Sequence, residues 1–517
     1  MLRGLGRRRN GRLFCERPGR IKARVLRLLE SASKGTQGIP GEPALLEALE
    51  ALARDQHVHS SLPRIGSPRL TNARNVRILN DMNVKQINVC LLRGDLAAPR
   101  LFPHLDELAG SRFKFEMRFG LDSLPEAEGV LLVRGPRQYG KSTWLESKLR
   151  ETIATHGPGS ALYLNGDELR NAEALGEALT EVAAVFPRRL RVRRLFVDEI
   201  TAVRDWQRAL KRAIDSGELR GILVVTTGSK ATDLRRGSER LPGRRGHLDR
   251  TTYLFTPVSF AEFRRVCGPQ LGERTVSAYL LSGGCPAGCN ALAERGRLPE
   301  YLVEMMRDWI YGECAASGRQ RAALVAVMEN LLKWGGTPVG QAKLAREAGL
   351  ANNTVAAAYV ELLSDLMCVG QALAWEPSRR IGLARRPAKF PMTNLLVAAA
   401  WSPERLRSVD DFNQLPADIQ GKWREWLVAQ ELWRRAALRG EDFPERMHYW
   451  QSAEHEIDFV LDRDTYLEVK SGRTSALEFA WFARMFPRAR LLVVGQDRFD
   501  ARSVTGMTME DFLLQVP

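Results

Sequence analysis

The sequence predicts an α/β multidomain protein whose centre is a parallel sheet covered by helices on both faces. Three observations lead to that class. Short apolar runs alternate with helical patterns from about residue 112 to residue 226, as in sheets built from strand–helix–strand crossovers. The first apolar run leads into a glycine-bearing loop that opens a helix, and a later run ends in two adjacent acids. The runs are unbroken because a parallel strand is buried on both faces.

Composition sets outer limits. The chain has 517 residues, 44% of them apolar and 27% charged, the balance of a globular protein of several domains. No apolar run reaches the roughly 18–20 residues of a membrane span. The Arg-rich start lacks the apolar stretch of a secretory signal, so no membrane partner is expected. Seven cysteines, at 15, 90, 267, 285, 289, 314 and 368, form no even framework. They point to a reducing compartment, and a cytoplasmic location is expected. Lys+Arg total 77 against 61 Asp+Glu, a net charge of +16. Such an excess attracts polyanions and makes DNA the expected macromolecular partner.

The elements follow in order. Residues 1–25 carry nine basic residues and one acid and read as a basic arm. Residues 31–42 are a Gly/Ser/Pro linker, and residues 45–53 have helical spacing. Val84 to Leu92 fits either a short strand or a helix. Val130–Val133 is the first buried strand and Lys141 to Ile153 a helix. Ala161–Leu164, Arg194–Val197 and Ile222–Thr226 are further strands, with a helix from Trp206 to Ser216. Residues 270–335 look helical. Gln341 to Ala348, a turn at Gly349 and Asn352 to Leu363 have helix-turn-helix spacing. Met447–Gln451, Ile457–Leu461, Tyr466–Val469 and Leu491–Val494 are strands again. Trp423, Trp426 and Trp433 recur on one face of an amphipathic helix and are expected in the core.

Gly135-Pro136-Arg137-Gln138-Tyr139-Gly140-Lys141-Ser142 fits the phosphate-loop pattern G-x-x-x-x-G-K-[ST], and it lies between a strand and a helix as the pattern requires. Glycines let the backbone curl so that successive N–H groups face a phosphate, and the helix N-terminus adds positive potential. Lys141 is the candidate for bridging the β- and γ-phosphates of ATP, and Ser142 the candidate Mg²⁺ ligand. Asp198 and Glu199 end the third strand at the carboxyl edge of the sheet, where ligands bind. Asp198 is the second candidate for Mg²⁺, and Glu199 the candidate that orients or deprotonates the attacking water. Thr227 and Ser229 follow the fourth strand and are candidate γ-phosphate sensors. Arg235, Arg236, Arg240, Arg244 and Arg245 crowd the next loop; one of them is a candidate arginine finger, acting in its own site or a neighbour's.

The C-terminal half carries a second pattern. Asn352, Asn353 and Thr354 open the second helix of the helix-turn-helix, where a recognition helix meets the major groove. That helix is poor in the basic residues that read bases directly. Farther on, Asp458 is followed by Glu468-Val469-Lys470, with Glu431 upstream on a helix. An acid at a strand end and an acid-x-Lys on the next strand is the PD-(D/E)XK nuclease pattern, although Ile457 stands where the proline belongs. Glu431, Asp458 and Glu468 are the candidate ligands of a hard divalent ion, with Lys470 placed to orient a water. Cys285 and Cys289 lack a second pair and make no zinc site.

Taken together, LLVRGPRQYGKSTWLE, LYLNGDE, RRLFVDEITAVRDWQRALKRAIDSGE, VVTTGSKATDL, ERLPGR and LFTPVSFAEF resemble one family: prokaryotic P-loop ATPases of the AAA+ type with a C-terminal domain of unknown function. The likeness continues through LLSGGCP, LAREAGLANNTVAAAYVELLSDL and EIDFVL…YLEVKSG and covers about residues 120–500. It implies an AAA+-like P-loop NTPase sheet followed by a winged helix and a restriction-endonuclease-like α/β domain. It also assigns nucleotide contacts to Gly135 through Thr143, Mg²⁺ and water to Asp198 and Glu199, and the finger to Arg244. Tyr139 departs from the family's small aliphatic residue; only its backbone N–H should matter there. The expected domains are a basic extension (1–110), the ATPase (111–266), a helical lid (267–330), the winged helix (331–395) and the nuclease-like domain (396–517). The expected function is Mg²⁺-dependent ATP hydrolysis coupled to a C-terminal module that binds DNA and is a candidate nuclease. The alternative is an NTP-driven switch that docks a protein partner without cleaving nucleic acid. A homo-oligomer is the expected context for an arginine finger supplied by a neighbour.

Overall fold

A computed structural model describes residues 82–229, 243, 246 and 248–515. The expected basic arm, the linker, the helical stretch at 45–53 and the arginines at 235, 236, 240, 244 and 245 lie outside the described residues.

Among the described residues, two helices precede the sheet. α1 (Val84–Arg93) starts from a reciprocal cap: Asn83 accepts from the Gln86 N–H, and the Gln86 side chain accepts from the Asn83 N–H. Two donors that a helix start leaves orphaned are thereby satisfied. α2 (Pro103–Gly110) begins on a proline, tolerated where no helical N–H is needed. Then come β1 (Gly129–Arg134), α3 (Lys141–His156), β2 (Ala161–Asn165), α4 (Ala172–Val185), β3 (Arg194–Asp198), α5 (Trp206–Asp215), β4 (Leu223–Gly228) and β5 (Thr252–Leu254). The strands make one parallel sheet in the order β2-β3-β4-β1-β5. Arg134 is level with Gly228 and Val197 with Thr226. The carboxyl ends of β1, β3 and β4 therefore share one edge. β2 is the outer strand on its side, and α1 covers it: the Asn88 amide donates to the Tyr163 carbonyl and accepts from the Tyr163 N–H, both at 2.8 Å. One side chain thus supplies the pairing that a neighbouring strand would give, which blunts the edge.

A helical stretch follows: α6 (Phe260–Leu271), α7 (Thr275–Ser282), α8 (Pro286–Arg295), α9 (Glu300–Ala316) and α10 (Arg321–Trp334). α11 (Gln341–Glu347) and α12 (Asn353–Asp365) lead into β6 (Gln371–Glu376) and β7 (Ile381–Leu383), an antiparallel hairpin. After a buried segment come α13 (Leu395–Trp401), α14 (Val409–Asn413) and the long α15 (Ala417–Arg439). The last part holds β8 (Arg446–Gln451), β9 (Glu456–Ile457), β10 (Phe459–Val460), β11 (Thr465–Val469), α16 (Ala480–Met485), β12 (Arg490–Gly495), β13 (Phe499–Ala501), β14 (Val504–Thr508) and α17 (Met509–Leu514). These strands form two sheets, β7-β6-β8-β9 and β10-β11-β12-β14-β13. The strand expected over 457–461 is broken at Asp458. Ile457 pairs with Trp450 of β8, whereas Phe459 pairs with Leu467 of β11. Asp458 sits where the chain passes from one sheet to the other.

Trp423, Trp426 and Trp433 are all buried on α15. The carboxyl end of α15 is capped from the segment before β5: the Arg250 guanidinium donates to the carbonyls of Ala437 (2.8 Å) and Leu438 (3.0 Å). Carbonyls of the last turn run short of helical partners; that of Ala437 also accepts from the Gly440 N–H at 3.1 Å. The described residues belong to one compact unit, and its larger apolar core runs from the parallel sheet into the C-terminal helices. A smaller core around Trp450, Tyr466 and Phe482 lies against β11 and β12.

Candidate active site at the carboxyl edge of the sheet

The loop between β1 and α3 has the backbone that a phosphate cradle needs. A Cβ on Gly135 would stand 2.6 Å from the Phe255 Cβ and 2.9 Å from its carbonyl oxygen, so only glycine fits. Gly140, with φ at +96°, turns the chain into the first turn of α3. Lys141 is buried, and its ammonium donates to the carbonyls of Gly135 (3.0 Å) and Pro136 (2.8 Å). Burial pulls its pKa down to about 8, against the opposing charges of Glu199 and Asp198. Ser142 and Thr143 are half-buried in the first turn of α3, and Arg137 and Gln138 are exposed.

Asp198, the last residue of β3, and Glu199, just beyond it, are fixed by residues at the end of β4. The Glu199 N–H donates to Asp198 Oδ1 (3.1 Å) and to Thr227 Oγ1 (3.1 Å). The Thr227 hydroxyl also donates to Asp198 Oδ1. Glu199 Oε1 accepts from the Thr201 hydroxyl (2.6 Å), the Ser229 N–H (2.9 Å) and the Ser229 hydroxyl (2.8 Å). Burial alone would raise the Glu199 pKa. The bonds from Thr201 and Ser229, with the charge of Lys141, overcome it and hold the carboxyl below its ordinary value. Lys141, Asp198, Glu199, Thr227 and Ser229 therefore converge at one edge, while Arg244 lies outside the described residues. The hard oxygen donors of Ser142 and Asp198 suit Mg²⁺.

Glu146 was not anticipated as a neighbour of this site, nor was a role for the Tyr139 side chain. Glu146, on the inner face of α3, accepts the N–H groups of His104 (3.1 Å) and Leu105 (3.0 Å), which anchors the start of α2. Burial pushes its pKa up to about 8 despite those bonds. Tyr139 is fully buried, and its hydroxyl donates to Asn394 Oδ1 at 3.1 Å. Its side chain therefore matters as well as its N–H, because it joins the loop to the residue that caps α13. Cys285, beside it, is a core thiol that burial pushes up to about 11.

The C-terminal acids are arranged differently from the expectation. Glu431 is wholly buried and bound by Arg434 (2.7 and 2.8 Å) and Arg435 (2.7 Å). Its lone pairs are committed to guanidinium groups, so it is not a ligand shared with Asp458. The acid of α15 that does reach Asp458's surroundings is Glu425. Both face Lys389, whose ammonium lies 3.0 Å from Asp458 Oδ1, 3.5 Å from Glu425 Oε1 and 2.5 Å from Glu456 Oε1. Asp458 Oδ2 accepts the Val469 N–H (2.9 Å), and Glu468 accepts the Asp458 N–H (3.2 Å) and the Lys470 ammonium (2.6 Å). Burial and the charge of Asp458 raise the Glu468 carboxyl to about 8 and hold Glu425 well above its ordinary value. Among the described residues no group of three or more His, Cys, Asp or Glu is disposed to hold a metal ion. The shared divalent ion expected for Glu431, Asp458 and Glu468 does not fit this geometry.

Comparison with known proteins agrees with the central sheet. Residues 127–264 match the family described as AAA domain. This part of the chain is similar to AAA domains, and its parallel sheet with helices fits a P-loop NTPase core. No curated protein sequence matches the chain. Solved structures that resemble it include a RuvB variant of Thermotoga maritima (16% identity, 50% of this chain and 85% of that one, TM-score 0.27). A Walker-type ATPase of Pyrococcus abyssi is also similar (14%, 59% and 97%, TM-score 0.36), as is the replication initiator DnaA bound to AMPPCP and single-stranded DNA (12%, 51% and 86%, TM-score 0.25). At these scores they add nothing to the family match and the geometry. No helix among the described residues is long and apolar enough to cross a membrane.

Proposed function

We propose that the chain is a Mg²⁺-dependent ATPase whose nucleotide cycle drives a DNA-binding C-terminal module. The observation that carries the proposal is the convergence of Lys141, Asp198 and Glu199 at the carboxyl edge, with Glu199 gripped by Ser229 beyond the end of β4. In this reading the N–H groups of residues 135–143 and the Lys141 ammonium hold the phosphates. Binding a triphosphate exchanges the two lysine–carbonyl bonds for phosphate oxygens. Ser142 and Asp198 would hold Mg²⁺, which would supply positive charge against the phosphates. Glu199, kept ionised by its donors, orients the attacking water and takes its proton. Thr227 and Ser229 register the γ-phosphate and release or grip the acids accordingly. Arg244 is the proposed finger, completed by a neighbouring copy in a homo-oligomer.

The role proposed for the C-terminal part rests on topology. α10, α11 and α12 followed by the β6–β7 hairpin have the order of a winged helix. Asn353 and Thr354 are exposed at the start of α12; the chain's net charge of +16 lies N-terminal to this part, since residues 331–517 hold 24 Lys+Arg against 24 Asp+Glu. α15, β8, the β9–β10 pair, β11, α16 and β12 follow the order of a restriction-endonuclease-like core. One observation favours the second reading, a switch that docks a protein: Asn352 is engaged as the cap of α12, accepting from Val355 N–H at 3.0 Å, and α12 holds no Lys or Arg. The test is ATP hydrolysis measured with duplex, single-stranded and branched DNA, together with DNA affinity against salt. A rate that rises with DNA, and an affinity that falls steeply with salt, support the DNA module. No DNA response at any salt leaves the protein-docking switch.

A further inference from the structure

The C-terminal acid cluster contains a cation of its own, and that cation is part of the chain. Lys389 lies between β7 and α13, in backbone pairing with Ala372 of β6 (2.9 and 3.0 Å). Its side chain is 1% exposed. The ammonium points away from the hairpin into the acids of the other elements: Glu425 of α15, Glu456 of β9 and Asp458 at the break between the two sheets. A buried ammonium is tolerated only where carboxylates surround it, and here three do. Glu468, the remaining acid, is taken by Lys470. A divalent ion seated on Asp458 would stand within a few ångströms of the Lys389 charge.

We propose that Lys389 is the permanent counter-ion of this cluster, takes the place of a divalent metal, and locks the hairpin module to the C-terminal sheets. The C-terminal fold then serves as a binding or docking body and performs no metal-dependent cleavage. The lock also places the neighbouring chain. The segment after Lys389 is buried through Phe390, Met392 and Thr393 to Asn394, the residue that receives the Tyr139 hydroxyl of the phosphate loop.

The test is a Mn²⁺ titration of the full nucleotide-free chain, followed by loss of the free-ion EPR signal, in wild type, Asp458→Asn, Lys389→Ala and Lys389→Ala/Asp458→Asn. Wild type and Asp458→Asn are expected to titrate alike. Lys389→Ala should gain a site at least about tenfold tighter than any in wild type, because the like charge that opposes the ion is gone. The double variant should lose that site, and Mn²⁺ should raise the melting temperature of Lys389→Ala alone. A wild-type Mn²⁺ site that disappears in Asp458→Asn would overturn the proposal. So would a folded Lys389→Ala chain that gains no site. Should Lys389→Ala fail to fold, the comparison of wild type with Asp458→Asn still decides. This outcome does not depend on whether the central domain hydrolyses ATP.

Discussion

The bond between Tyr139 and Asn394 can be weighed by a double-mutant cycle. Tyr139 is 0% exposed, and its hydroxyl donates to Asn394 Oδ1 at 3.1 Å. The same oxygen accepts the Val397 N–H, also at 3.1 Å. Tyr139→Phe therefore leaves no orphaned acceptor, and the expected loss is that of an ordinary hydrogen bond, about 0.5–1.5 kcal/mol. Asn394→Ala removes the cap of α13, about 1 kcal/mol, and strands a buried phenol, a further roughly 1–3 kcal/mol. The double variant should lose less than the sum, with a coupling of about 1 kcal/mol. Tyr139→Ala removes the whole ring and should cost roughly 3–5 kcal/mol. Urea unfolding by tryptophan fluorescence gives these differences, and MgATP affinity shows whether the loop is disturbed. Tyr139→Phe should bind MgATP almost normally, and Tyr139→Ala should not. Strict additivity of the two single variants, or Tyr139→Ala with wild-type affinity, would refute the idea that this side chain braces the loop.

Three further outcomes follow from the same geometry. The folded Glu146 pKa of about 8 lies above its ordinary 4.5, so the folded chain keeps a proton that the unfolded chain releases. Its contribution is fully present below about pH 4.5 and is lost as pH rises toward 8, at up to roughly 1.4 kcal/mol per pH unit; Glu146→Gln should flatten that part of a melting-temperature profile. Ser229→Ala removes one of the three bonds to Glu199 Oε1 and should lower kcat about tenfold with little change in ATP affinity, measured by steady-state hydrolysis. Glu431→Gln breaks a buried contact with Arg434 and Arg435 and should destabilise the chain by roughly 3–5 kcal/mol. It should leave Mn²⁺ titrations unchanged.

Much of the site was legible because its chemistry depends on local pattern. A phosphate loop needs glycines and a lysine at set spacing between a strand and a helix, and Gly135, Gly140 and Lys141 stand where that spacing puts them. An apolar strand that ends in acids carries them to the sheet edge, as Asp198 and Glu199 show. The C-terminal cluster was less legible because it depends on packing between distant elements. Glu425 and Glu431 both lie on α15, and nothing local says which one meets Asp458. The choice follows from Lys389, which lies in a segment with no periodic pattern. One signal was available: Lys389 is flanked by Ala388, Phe390 and Met392, and a lysine in an apolar run must find buried acids. The undecided segment Val84–Leu92 also had a signal, since Asn83-x-x-Gln86 is a capping box and selects the helix. The role of the Tyr139 side chain had none, because its partner is 255 positions away in sequence.

The central claim is that Glu199 turns a bound MgATP into products at this sheet edge. The direct measurement is phosphate release under saturating MgATP by wild type and Glu199→Gln, with nucleotide binding followed in parallel. The account predicts Mg²⁺-dependent turnover in wild type, and unimpaired binding with turnover reduced by about a hundredfold or more in Glu199→Gln. Equal rates in the two proteins, or a folded wild type that binds no MgATP, would contradict it.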